Sequence, residues 1–304
     1  MSESGALKRD QACSGAEFGL VGRGGQDHRT LAYACACWPD GDAPEQHLLA
    51  LHLAAILALD DTLESGKPLP SAAEEQRTLL PWCGSPSSCA GAEAYVSRAP
   101  IRAALARVET ALASRAGMQS VIQWWRKQGE LMVAACWEES RWRESSTLPD
   151  EDTYLAIAEV SIGVRWIVAS LLLLDGASMP PLADGLVLTA TAAVSAAVRL
   201  ANDLHDTRRE RREAKIQLLF LRTRALQALG YRRRPAQRRA RQDVHALLSQ
   251  RVARAKVLLD DRQWSGAPRL RSGLSGMLGA ALGLIHAREP AVGDTGLAVG
   301  QLRE

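Results

Sequence analysis

Between Leu186 and Asp203 the chain reads LVLTATAAVSAAVRLAND, a run that is apolar or small on every side for its first four turns. A helix without a polar face cannot lie against water, so other elements must surround it. This stretch therefore calls for a bundle with a central helix. The rest of the sequence supplies its companions. HLLALHLAAILALDDTLESG, starting at His47, is a run of strong helix formers stopped by Gly66 and Pro68. From Ile101 to Glu144 apolar residues recur at helical spacing over many turns. Helix-punctuating residues gather at KPLPSAAEEQ, PWCGSPSSCAG, SSTLPDEDT and DGASMPPLADG. Strand-like alternation and internal repeats are hard to find. The expectation is one all-α domain over residues 41–290, preceded by a flexible Gly-rich lead over 1–40 and followed by a flexible tail over 291–304.

Composition narrows the function classes. With 47% hydrophobic residues in 304, the chain can bury a substantial core. Its net charge of +3 is too small to signal a nucleic-acid binder by itself. Six cysteines show no C-x-x-C spacing and no apolar signal segment opens the chain, which favours neither a zinc site nor a secreted disulfide framework. A reducing cytoplasm is the expected compartment. No uninterrupted apolar run reaches about 18 residues, so no membrane span is expected.

Two places put carboxylates on otherwise apolar helices. Asp60, Asp61 and Glu64 end the first, and Asp60 and Glu64, four apart, share a face. Two anions buried side by side would have sharply raised pKa values, so they sit either at a solvated rim or beside a cation. A solvated helix end before a Gly-Lys-Pro turn is the plain alternative. The second place is RLANDLHDTRRERREAK, Arg199 to Lys215, where Asn202, Asp206 and Glu210 stack along one helix face at spacings of four. An exposed helix laced with ion pairs is the alternative there. The apolar turns before Asn202 argue against it, because a buried helix that meets Asn202 and Asp203 delivers polar groups to a cavity or its mouth. Mg²⁺ takes hard oxygen ligands and is commonly held by carboxylates together with substrate phosphates, while arginine forks neutralise the remaining charge. Acidic helix faces with neighbouring arginines point to a diphosphate clamped by metal.

A D-D-x-x-D/E motif followed some 140 residues later by N-D-x-x-S/T/G-x-x-x-E resembles the two metal-binding motifs of class I terpene synthases. Asp60, Asp61 and Glu64 match the first, and Asn202, Asp206 and Glu210 fall on the ligand positions of the second. Between them, WWRKQGELMVAACWEESRWRESSTLPDEDTYLAIAEVSIG is similar to the family's stretch leading into a kinked helix beside the diphosphate. The resemblance covers about residues 45–220 and implies a helical bundle around a central apolar cavity, holding three Mg²⁺ ions and a prenyl diphosphate. RLANDLHDTRRERREAK most resembles the bacterial labdane-related, ent-kaurene synthase-like diterpene synthases. The arginine sensor of many bacterial cyclases is absent, with Ala158 at its expected position, and so is the C-terminal Arg-Tyr pair. Asp206 departs from the family's Ser, Thr or Gly, and as an aspartate it can still coordinate the ion.

The resemblance implies metal-assisted loss of diphosphate and carbocation cyclisation in a closed apolar cavity. By motif position Arg209, Arg199 and Lys215 would contact the diphosphate. Ser161, Ile162 and Gly163 would place small groups and a backbone carbonyl near the cation. Trp125, Trp137 and Trp166 are the candidates to present aromatic faces to it. The implied substrate is a labdane-type bicyclic diphosphate of the copalyl type, supplied by a separate class II cyclase, or geranylgeranyl diphosphate. The resemblance also allows a homodimer. A sesquiterpene cyclase using farnesyl diphosphate is the rival within the class, and chain elongation is disfavoured because a second D-D-x-x-D motif is missing. From another class, YRRRPAQRRARQDVHALLSQRVARAK clusters arginines as a nucleic-acid-binding arm does. Without interleaved aromatics it reads better as a solvated loop and helix face, with no nucleic-acid partner.

Overall fold

The structure is a computed structural model describing residues 26–65, 69–84, 92–114, 119–145, 147–176, 185–205, 216–262, 264 and 267–286. In chain order its α-helices are α1 (Gln26–Cys37), α2 (Ala43–Ser65), α3 (Ala72–Leu79), α4 (Ala92–Ala113), α5 (Gln119–Glu144), α6 (Glu151–Ser161), α7 (Val164–Asp175), α8 (Gly185–His205), α9 (Leu218–Ala228), α10 (Arg233–Leu259) and α11 (Pro268–His286). No strand occurs among the described residues. Local chemistry sets several helix starts. Asp42 accepts from the Glu45 amide at 2.8 Å, Ser71 from that of Glu74 at 3.2 Å and Asp150 from that of Thr153 at 2.7 Å. Each satisfies an amide that has no partner inside its helix.

The apolar helix anticipated at Leu186 is α8, and it is central. It packs against α6, α7, α9, α10 and α11, burying Val187, Ala190, Val194, Ala197, Leu200, Ala201 and Leu204. Two stretches, Glu151–Asp175 and Gly185–His205, are long and apolar enough to cross a bilayer, but 72% and 50% of their apolar windows are buried inside the bundle. Their apolar character is that of core helices.

One expectation needs correction. The flexible lead assigned to residues 1–40 runs too far, because α1 is part of the bundle. Ala34, Cys37 and Trp38 are fully buried, and α11 approaches so closely that a Cβ on Gly276 would sit 1.7 Å from the Ala36 carbonyl oxygen. Glu45 fastens this corner, accepting from the Trp38 indole at 2.9 Å and pairing with Arg269 at 3.0 Å. The periodic stretch from Ile101 to Glu144 falls on two helices, α4 and α5. A buried ion pair, Arg98 with Glu75 at 2.9 Å, ties α4 to α3.

Candidate active site

One end of the bundle collects the polar groups. The α2 helix runs towards it with His52, Ile56 and Asp60 on a single face, four residues apart each time. Asp60 and Asp61, near the end of α2, are half-buried. On α5 the facing residues are Met132, Cys136, Glu139 and Arg143. Arg143 donates to the Leu63 carbonyl at 2.9 Å, and Asp60 lies close enough to bear electrostatically on Glu139.

From Glu139 the polar contacts cross to α8. The Ser161 hydroxyl donates to Glu139 Oε1 at 2.8 Å, and Arg199 Nη1 stands 3.3 Å from that same oxygen. Arg199 Nε bonds Asp203 Oδ1 at 3.0 Å, and its Nη2 donates to the Tyr154 hydroxyl at 2.7 Å. Tyr154 in turn donates to Asp203 Oδ2 at 2.8 Å, which also receives the Leu218 amide at 3.3 Å. Both Tyr154 and Asp203 are fully buried. Burial pushes the carboxyls of Glu139 and Asp203 above the ordinary range, and the Arg199 guanidinium opposes that rise in each. The network welds the ends of α5, α6 and α8 together and holds Asn202, one position before Asp203 and half-buried, at the same end as Asp60. The two carboxylate-bearing helices thus converge on one end through Glu139 and Arg199.

The break between α6 and α7 sits beside this network. Gly163 has φ of 76°, a left-handed conformation that suits glycine. A Cβ there would meet Met132 Sδ at 3.1 Å and Ile56 Cγ2 at 3.2 Å, so the backbone presses directly onto α2 and α5. Ser161 is the last residue of α6, and Ile162, half-buried, caps it.

At the other end of the same α2 face, His52 packs against Trp125 and Trp166, with ring centroids 5.4 and 4.7 Å away, and Trp82 completes the cluster. The Trp125 indole donates to Ser170 Oγ at 2.8 Å, and Ser170 meets His52 Nδ1 at 2.9 Å. Gly129 makes room, since a Cβ there would lie 2.7 Å from the Trp166 ring. His52 Nε2, Trp82 Nε1, Trp166 Nε1, Thr191 Oγ1 and Ser195 Oγ are buried without a hydrogen-bond partner. Leaving such atoms unmet costs roughly 1–3 kcal/mol each, and buried polar atoms of this kind are ordinarily met by water or a ligand group. Thr191 and Ser195 lie on the face of α8 that leads to Asn202.

Of the anticipated site residues, Asp60, Asp61, Asn202, Arg199, Ser161, Ile162 and Gly163 fall at one end, and Trp125 and Trp166 form the aromatic cluster. Trp137 is held elsewhere, its indole donating to the Leu69 carbonyl at 2.8 Å and its ring under Arg141. Asp206, Arg209, Glu210 and Lys215, and the side chain of Glu64, lie outside the described residues. Among the described residues no three His, Cys, Asp or Glu side chains stand together as a metal site. Asp60, Asp61 and Asn202 offer only hard oxygens, the donor type magnesium takes. Glu139, Arg143 and Tyr154 were not singled out from the sequence as site residues. The 4-3-4 spacing of Met132, Cys136, Glu139 and Arg143 on an inward face was the available signal.

A family model described as Terpene synthase family 2, C-terminal metal binding, matches residues 52–225. No curated protein matches the sequence. Among solved structures, the linalool/nerolidol synthase from Streptomyces clavuligerus in complex with 2-fluorogeranyl diphosphate is similar with a TM-score of 0.66 and 18% identity over 90% of each chain. Wild-type cucumene synthase gives 0.61 and 18%, over 90% of this chain and 91% of that one. The 2-methylisoborneol synthase from Streptomyces coelicolor A3(2), in complex with Mg²⁺ and geranyl-S-thiolodiphosphate, gives 0.63 and 14%, over 86% and 83%. At these identities the likeness is one of fold.

Proposed function

The chain belongs to terpene synthase family 2, and from that premise we propose that it ionises an acyclic prenyl diphosphate, geranyl or farnesyl diphosphate, and carries the carbocation to a hydrocarbon or alcohol. The observation that carries this reading is the arrangement along α2. Asp60 stands at the polar end, Ile56 against the Gly163 break, and His52 in the aromatic cluster about 12 Å below Asp60, given the rise of a helix. An amphiphile with a charged head and a short apolar tail fits that gradient. The similar synthases crystallised with geranyl-type diphosphates support the same chain-length class.

The roles divide between head and tail. Asp60, Asp61 and Asn202, with Glu64, Asp206 and Glu210, would hold magnesium. A metal bound there would offset the diphosphate charge and make it a better leaving group. Arg199 is oriented by Tyr154, Asp203 and Glu139, so its guanidinium is fixed before substrate arrives. Arg209 and Lys215 are further diphosphate contacts by motif position. Ser161, Ile162 and Gly163 would set the helix break beside the reacting carbons, and Trp125 and Trp166 would present aromatic faces to positive charge. The apolar faces of α2, α5 and α7 keep water from the cation.

A second reading rests on Arg199, whose place in R-L-x-N-D matches the labdane-related branch, and on Ala158 where other cyclases carry an arginine. It makes the substrate copalyl-type or geranylgeranyl diphosphate, delivered by a separate class II cyclase. Incubation of the purified chain and Mg²⁺ with geranyl, farnesyl, geranylgeranyl and copalyl diphosphates, read by mass spectrometry, separates the two. Products from geranyl or farnesyl diphosphate are expected. Products from copalyl or geranylgeranyl diphosphate, with none from geranyl or farnesyl diphosphate, transfer the assignment to the second reading, and release of diphosphate from none of the four overturns both.

A further inference from the structure

The arginine-rich segment has no part in the site described, yet the fold gives it a definite place. The Leu218 amide, at the start of α9, bonds Asp203 at 3.3 Å. One turn on, Arg222 bonds Glu151, the first residue of α6, at 3.0 Å. Since Tyr154, further along α6, lies beside Asp203, α9 climbs outward past the polar end of the bundle. The α10 helix returns antiparallel. Asp243 lies near Arg222, and Arg251 borders a small cleft with Arg199 and Leu200. The turn between α9 and α10 therefore projects roughly 10–15 Å beyond Glu151 at helical rise, from the end that carries Asp60 and Asn202.

The composition of this projecting hairpin is unlike that of the rest of the chain. Residues 224–241 hold seven arginines and no acidic residue, so with a total of +3 the remainder of the chain is net negative. All seven arginines are exposed. Of these, Arg239 pairs with Asp243 at 3.0 Å. At the apex, where a soluble surface would be polar, Leu229 is 77% and Tyr231 50% exposed. An apolar tip collared by arginines matches an anionic bilayer surface. The tip would enter the headgroup layer, the guanidinium groups would meet lipid phosphates, and long arginine side chains can snorkel between the two. A nucleic-acid backbone would engage the arginines but offer nothing to Leu229.

We propose that the α9–α10 hairpin docks the protein on anionic lipid bilayers through Leu229, Tyr231 and the surrounding arginines, turning the polar end of the bundle towards the membrane. This adds to the enzymatic reading without depending on it. The test uses the full chain without substrate, in flotation with phosphatidylcholine vesicles and with vesicles containing phosphatidylglycerol, across a salt series. The wild-type chain should bind the anionic vesicles at least tenfold better than the neutral ones and be released by salt. Leu229→Ser with Tyr231→Ser, and separately Arg232→Glu with Arg233→Glu and Arg234→Glu, should each reduce binding at least tenfold while retaining the wild-type circular dichroism and melting temperature. Absence of wild-type binding to anionic vesicles overturns the proposal, whatever the variants do. So does anionic binding that both folded variants retain. Salt-sensitive retention on double-stranded DNA without vesicle binding would likewise overturn it, and would make the segment a nucleic-acid arm.

Discussion

Tyr154 donates its hydroxyl hydrogen to Asp203 at 2.8 Å while accepting from Arg199 at 2.7 Å, so one buried phenol ties together the acid and the base of an ion pair on the neighbouring helix. Tyr154→Phe keeps the ring and removes both bonds, leaving charged groups short of a partner. A loss of about 1–3 kcal/mol is expected, read from urea denaturation. Arg199→Met strands Asp203, which is fully buried, and should cost more, about 3–5 kcal/mol. If Arg199→Met proves no more damaging than Tyr154→Phe, the network is not the weld described.

Asp60 and Asn202 stand on different helices at one end of the bundle. Asp60→Ala and Asn202→Ala should each lower magnesium-dependent release of diphosphate by about a hundredfold or more. Both positions are half-buried, so the folded state should persist, with melting temperatures within a few degrees of wild type. Full activity in either variant would remove that residue from the metal set.

Gly163 and Gly176 share a left-handed backbone, with φ of 76° and 68°. Only Gly163 is crowded, by Met132 and Ile56, whereas a Cβ on Gly176 would meet nothing within 4 Å. Alanine at either carries the left-handed penalty of about 1–2 kcal/mol. Gly163→Ala must also displace its neighbours, and it should lose turnover as well as further stability. Thermal melts and initial rates of the two variants isolate the contact, and equal behaviour would show that the crowding is harmless.

His52 is fully buried among Trp125, Trp166 and Ser170, and burial lowers its pKa from 6.5 to about 3. The unfolded chain takes up a proton near 6.5 that the folded chain refuses. Stability from this residue is therefore complete above about 6.5 and declines as the pH falls towards about 3, by an amount on the order of 4–5 kcal/mol. His52→Asn can still meet Ser170 but cannot titrate. Denaturation measured at several pH values should show a shallower decline for this variant between those limits, and an unchanged slope would mean that His52 is protonated in the fold.

Much of this protein followed from local pattern. Helices and their starts obey short-range rules, so the apolar circumference of α8 placed it at the centre, and Asp42, Ser71 and Asp150 act where a cap is chemically needed. Asp60, Asp61 and Asn202 stand out as candidates because carboxylates and amides on apolar helices are conspicuous. The packing of α1 against Gly273 and Gly276 could not be found in this way, because a small residue leaves no trace in the sequence of what comes to lie on it.

The tertiary structure alone decided which groups act together. Glu139 and Arg199 are far apart in the chain, and nothing in the sequence near either one points to the other as its partner. They meet because α5 and α8 pack around the same core, and in that dry setting each carries the burden of neutralising the other. Likewise the sequence displayed the arginines after Tyr231, but only the antiparallel course of α9 and α10 set them at the end of the bundle that holds Asp60. Helical periodicity determines which side of a helix is buried. Which helix covers that side, and so which charges come within reach of one another, depends on contacts between residues distant in sequence.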